Sequence, residues 1–236
     1  MKDEVVVYWS LLTNLDRQTL LNLLVEPPKP LYKTIGPGPA GRTDGNYRMC
    51  GAAGNVFNTT FVLTNPHDTE VELSGPVEDP QINGEEIWEK RANAMQDRYA
   101  VDYDMRWVFF CEEPLTMKVI TQYMHNTSFL ESAHVATGQF DISRWFRGIN
   151  PCFILWKDKN KVVVKKDEPL MYVEFLTEKR IVLKQFELTQ ELNDIASQVG
   201  TITKFIKMEP LSSLYDRFTR TNRGKRVIKL IKENLL

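Results

Sequence analysis

The chain has 236 residues, 42% of them hydrophobic and 26% charged, with a formal net charge of −1. These proportions allow a sizeable core in one large all-β domain or two small ones. They leave no global field to draw the chain onto nucleic acid or a membrane surface, so any such contact needs a local patch.

Cys50, Cys111 and Cys152 are odd in number, widely spaced and free of any CxxC pair. That argues against a disulfide framework and a structural zinc site, and it fits a reducing compartment. Each lies among apolar neighbours, where a buried small hydrophobe is a simpler reading than a nucleophile. The N-terminal apolar run is too short, and wrongly flanked, for a signal peptide or a membrane span.

Taken in order, Val5 to Trp9 reads as a first strand. Asn14 or Asp16 is placed to cap a helix from Arg17 to Leu24. Glu26-Pro27-Pro28-Lys29-Pro30-Leu31 cannot be helical, because its prolines fix φ and remove donors. Gly36 to Gly54 reads as a long loop followed by irregular structure, and loops of that length are often functional. Asn58–Leu63 and Thr69–Leu73 read as strands around an Asn65-Pro66-His67-Asp68 turn. Gly75–Ala100 is polar, and its second part suits a helix or an ordered excursion. Met105–Cys111 and Leu115–Tyr123 are strands, the first nearly continuous in apolar residues, as expected of burial on both faces.

Gly138 to Leu188 is the richest stretch. Its β-branched and aromatic runs, divided by turn residues, predict a β-hairpin unit with a further ladder strand behind it. Trp145 and Phe146 are expected to plug the core while Arg144 and Arg147 reach outward. The carboxylates of Asp167 and Glu168 are expected to face water. Thr189–Val199 has helical spacing with Thr189 as cap. Two further amphipathic helices come after Pro210, broken near Asn222-Arg223-Gly224 with glycine at the C-cap. The division expected is a β-rich core over 1–188, with a possible split near 75–104, and a helical segment over 189–236.

The candidate chemistry is sparse. Arg217, Arg220, Arg223, Lys225, Arg226, Lys229 and Lys232 form a basic C-terminal run that could meet phosphate or an acidic partner. A solvated helix face is the simpler reading and is favoured. His125, His134 and Asp141 could form a non-haem iron triad on a double-stranded β-helix, but the close His-x-Asp pairing is absent and surface or structural histidines are favoured. There is no Gly-x-Ser-x-Gly elbow, and Gly36–Gly41 lacks the amide donors of a phosphate cradle. No catalytic residue and no cofactor is assigned.

Several segments occur in the same order in another group of proteins. They are Tyr8-Trp9 with Glu26–Leu31, the strand and turn Phe61–Asp68, the stretch from Trp145-Phe146-Arg147 to Glu168-Pro169-Leu170, and the closing Tyr215–Phe218 and Lys229–Leu235. In these the chain resembles an uncharacterised protein family of large tailed bacteriophages, T4-like and marine, with cyanobacterial hosts. The resemblance implies a viral origin and a setting in the virion or host cytoplasm, and brings no activity with it.

The expected fold is mainly β: an antiparallel β-sandwich or jelly-roll-like pair of sheets closed by C-terminal amphipathic helices. The expected function is non-enzymatic protein–protein interaction, as a virion or assembly component or as a host-factor-binding effector. A homo-oligomer is compatible with that function. The iron enzyme and nucleic-acid binding through the basic terminus are the alternatives.

Overall fold

The computed structural model describes residues 3–12, 25–35, 51–91, 97–205 and 210–236, with side chains left undescribed at 51–53 and 199–205. The fold is mainly β, with several antiparallel sheets and C-terminal helices, and among the described residues no sheet closes into a barrel.

The first strand, β1 (Glu4–Leu12), runs parallel to β15 (Arg180–Gln185) on one side and antiparallel to β8 (Arg106–Cys111) on the other. A five-stranded sheet has the order β11 (Gly138–Asp141), β9 (Thr116–Ile120), β14 (Pro169–Phe175), β3 (Thr60–Thr64), β2 (Lys29–Pro30). A four-stranded sheet has the order β10 (Ala133–Val135), β12 (Cys152–Leu155), β7 (Ala100–Tyr103), β6 (Trp88–Lys90). A second three-stranded sheet joins β13 (Lys161–Val164), β4 (Thr69–Ser74) and β5 (Gln81–Gly84).

The sheets share one core. Phe109 of β8, Phe175 of β14 and Phe61 of β3 meet edge to face, with ring centroids 5.9 and 5.7 Å apart. Such aromatic pairs add about 0.5–1.5 kcal/mol beyond the area they bury. Trp88 packs on Tyr103 and Phe153, and its Nε1–H donates to Thr69 Oγ1 at 2.9 Å, joining β6 to β4.

Strand β8 is buried on both faces, as its apolar run predicts. Trp107, Phe109 and Cys111 enter the shared core, while Val108 and Phe110 turn to the opposite side. There they join Tyr8, Phe186 and the helices α3 (Gln190–Phe205), α4 (Leu211–Arg220) and α5 (Arg223–Glu233) in a second apolar cluster. The helices therefore cover the outer face of the β15–β1–β8 sheet. Leu214, Tyr215, Phe218, Val227 and Ile231 do so at helical spacing. Trp145 and Phe146 are buried in the same cluster, as expected, and the Arg147 guanidinium lies 5.6 Å from the Trp145 ring centroid.

Four expectations need correcting. The Gly138–Leu188 stretch is not a hairpin unit: β11, β12, β13, β14 and β15 pair with β9, β7 and β10, β4, β3 and β9, and β1, never with one another. Alternation marks a strand but does not choose its partner. Residues 51–54 are not irregular but open α2 (Gly51–Thr59), which takes Asn58 and Thr59 from the expected strand and leads directly into β3. At the last helical break the left-handed residue is Asn222, φ 52°, and Gly224 lies inside α5. Asparagine tolerates that conformation through its short polar side chain.

The fourth concerns Glu168, which does not simply face water. Its carboxylate accepts from Ser128 N–H at 3.0 Å and Ser128 Oγ at 2.6 Å, tying the β14 entry to the 3-10 turn Ser128–Glu131. The expected helix at Arg17–Leu24 and the Gly/Pro loop at Gly36–Gly41 lie outside the described residues.

Candidate functional site

A concavity lies where the β15 edge of one sheet approaches the β2 edge of another. It is a groove of about 680 Å3, within the range of about 300–1,000 Å3 usual for ligand sites. Its floor is Trp9, Phe61, Ile181 and Leu183. One wall is Pro27, Pro28 and Pro30, continued by α1 (Leu31–Thr34). Asn55 and Asn58 of α2 form the end, and the Thr177–Arg180 turn forms the lip.

Local rules place these side chains. Val5, Val7, Trp9 and Leu11 alternate toward the core along β1, and the parallel register sets Ile181, Leu183 and Gln185 beside Val5, Val7 and Trp9. Phe61 turns inward from β3 to the same space. The prolines keep the opposite wall extended and short of donors.

The groove carries little net field. Lys179 Nζ pairs with Glu113 at 2.6 Å and Arg180 Nη1 with Glu4 at 3.1 Å. The Glu113 hydrogen bond holds the Lys179 ammonium above its ordinary range. What the groove offers is apolar surface, amide side chains and unpaired strand backbone.

That backbone arises from the ladder. Arg180 N–H bonds Asp3 C=O at 3.0 Å and Phe186 N–H bonds Trp9 C=O at 3.1 Å. By strand alternation the even residues of β15 address β1, and Ile181, Leu183 and Gln185 turn their N–H and C=O groups outward. Gln185 C=O accepts from Leu236 N–H at 3.0 Å. Beyond that contact β15 is an edge strand, and among the described residues nothing pairs with Ile181 or Leu183 on that side.

The anticipated iron ligands are not brought together. His125 Nδ1 meets the Tyr172 hydroxyl, and the Thr34 carbonyl also bonds its ring. His134 stacks on Trp156, with ring centroids 4.4 Å apart. The carboxylate of Asp141 accepts from Ser143 Oγ and Arg144 Nε at 2.6 and 2.7 Å. Among the described residues no three His, Cys, Asp or Glu side chains are grouped to hold a metal ion.

Nor are the described thiols primed for attack. Burial pushes Cys111 up to about 11 and Cys152 up to about 12, so both are protonated at neutral pH. Cys50 lies outside the described residues.

The basic terminus is partly neutralised. Arg226 pairs with Glu191 at 2.6 Å, Lys232 with Glu112 at 2.8 Å and Lys229 with Glu233 at 3.9 Å. Arg217 closes the last turn of α4, beneath Arg220. Arg220, Arg223 and Lys225 gather around the α4–α5 junction, and the first turn of α5 holds no acidic side chain.

No family model matches the sequence, and neither a curated protein nor a solved structure matches it. Among the described residues, no helix is long and apolar enough to cross a membrane.

The groove is not legible in the sequence. Its lining comes from four separate places in the chain, and each residue alone reads as core, turn or proline spacer. The one available signal was the proline run expected to lie extended against a surface.

Proposed function

We propose that this chain acts without catalysis, by binding a protein partner in the groove between β15 and β2. The observation that carries this reading is an apolar concavity of about 680 Å3 opening beside a strand edge that is unpaired among the described residues. Exposed edges recruit other chains unless they are charged, bulged or covered. Here the edge stretch is a half-buried Ile-Val-Leu between Arg180 and Lys184. The phage resemblance supplies the setting: a partner in the virion, or a host protein met in the cytoplasm of an infected cell.

Photo-crosslinking tests this. A photoreactive phenylalanine analogue is placed at Tyr32 on the groove wall, or at Lys159 in a distant exposed turn. The expected result in infected-cell extract is one defined adduct from the groove position only. Asn58→Trp, from an exposed helical position, fills the groove and removes that adduct. Equal labelling from both positions, or an adduct indifferent to Asn58→Trp, excludes the groove. Peptides of this chain in purified particles would assign it to the virion, and their absence to the host cytoplasm.

A further inference from the structure

We infer that the groove takes its partner as an extended strand added to the outer edge of β15, antiparallel to it and in a register the chain itself displays; this rests on the protein-binding reading above. The display is made by the last residues of the chain. Leu235 forms an antiparallel bridge with Phe186. Glu187 N–H bonds Asn234 C=O at 2.8 Å, and Leu236 N–H bonds Gln185 C=O at 3.0 Å. These two bonds flank the 186–235 pair, the pattern of a non-hydrogen-bonded pair in an antiparallel ladder. A short strand is thus already seated on the edge.

The direction of this short strand fixes the course of any longer one. A strand prolonged past Leu236 runs back along β15 toward Leu183 and then Ile181. The pairs alternate, so its second residue faces Leu183 and its fourth faces Ile181, each as a hydrogen-bonded pair. Both outward N–H and both outward C=O groups of Ile181 and Leu183 are then satisfied. The same two residues of the added strand point inward, because paired residues share a face. They enter the groove over Ile181, Leu183 and Phe61, while the first and third point away from it.

The partner this selects is a peptide with apolar residues at alternate positions. Main-chain bonds supply affinity and the groove supplies side-chain preference, as in other strand additions. The near-neutral rim agrees with an occupant recognised through its backbone, because Lys179 and Arg180 are already paired with acids.

The test appends Thr-Val-Thr-Val directly after Leu236 in the full chain, which makes pairing intramolecular and raises the effective concentration of the strand. Amide hydrogen exchange is read at Ile181 and Leu183. The expected result is slowing by about tenfold or more at both amides, with Val182, already turned to β1, unchanged. Appending Thr-Pro-Thr-Pro removes the two inward donors and leaves exchange as in the parent chain.

If the extended chain does not fold, acetyl-Thr-Val-Thr-Val-amide is added in excess to the unextended protein and the same amides are followed. Unchanged exchange at Ile181 and Leu183 with the valine strand overturns the inference. If Asn58→Trp still removes the cross-link in that case, the groove reading survives and only the strand geometry fails.

Discussion

The Tyr103 hydroxyl donates to Asn65 Oδ1 at 2.9 Å, and both residues are buried. Asn65 also donates its amide to the carbonyls of Val164 and Lys165, while its backbone exchanges bonds with Glu168 and Asp167. One side chain therefore links β7 to the turns that come after β3 and β13. Tyr103→Phe keeps the ring but strands the Asn65 oxygen. Leaving a buried acceptor unmade costs about 1–3 kcal/mol, so chemical denaturation should show a lower midpoint with an unchanged m-value. A stability equal to the parent would show that the bond contributes nothing.

Acid should weaken the fold through two histidines. Burial lowers the pKa of His125, opposed by its bond to the Thr34 carbonyl. Burial, and then Arg98, lowers that of His134, whose buried Nδ1 has no hydrogen-bond partner among the described residues. Folding thus favours the neutral rings. Their contribution is fully present above the unfolded value of 6.5 and is lost as pH falls through the lower folded values. Tm measured from pH 7.5 down to 5 should fall below about 6.5, and His125→Gln with His134→Gln should flatten that part of the profile. A parent profile already flat there contradicts the assignment.

Charge at the α4–α5 junction runs against the helix dipole. Arg223, Lys225 and Arg226 occupy the positive end of α5 with no acid among them. Replacing Arg223 and Lys225 by Glu should stabilise the protein by about 0.3–1 kcal/mol per position at low salt, and less at high salt. Thermal unfolding at two ionic strengths checks this. The same variant addresses nucleic acid: a salt-steep affinity for single- or double-stranded DNA in the parent, abolished by the reversal, would make this junction a phosphate contact.

Thiol labelling should separate the cysteines by environment. With Cys111 pushed up to about 11 and Cys152 up to about 12, iodoacetamide at pH 8 should leave both unmodified in the native chain and alkylate both after denaturation. Peptide mapping by mass spectrometry reads each site separately. Native labelling of Cys111 would mean that the shared core opens readily around β8.

Much of the strand content was legible because local pattern carries it. Thr69–Ser74 alternates buried and exposed without a break, and β8 shows the unbroken apolar run of a strand covered on both faces. Pairing was not legible. Nothing in Val162 or Val164 shows that their strand lies beside β4 rather than β14, because partner choice depends on the closure of distant loops and on shared packing. The helix at Gly51–Thr59 was hidden by the glycine and proline that precede it. Glu168 looked like an ordinary turn carboxylate until Ser128, 40 residues away, came to meet it. At the basic terminus the charges were plain to read, while their acidic partners Glu112 and Glu191 belong to other elements.

The arrangement of β1 has a consequence for synthesis. Both of its neighbours are made long after it, and Glu4 meets Arg180 across a separation of 176 residues. At about 5–20 residues per second, the ribosome delivers that partner roughly 9–35 s after β1 emerges. For that interval a nine-residue run rich in valine, tyrosine, tryptophan and leucine has no finished ladder to enter. Nascent chains should therefore depend on holding chaperones in proportion to translation time, and faster elongation should raise the yield of folded protein.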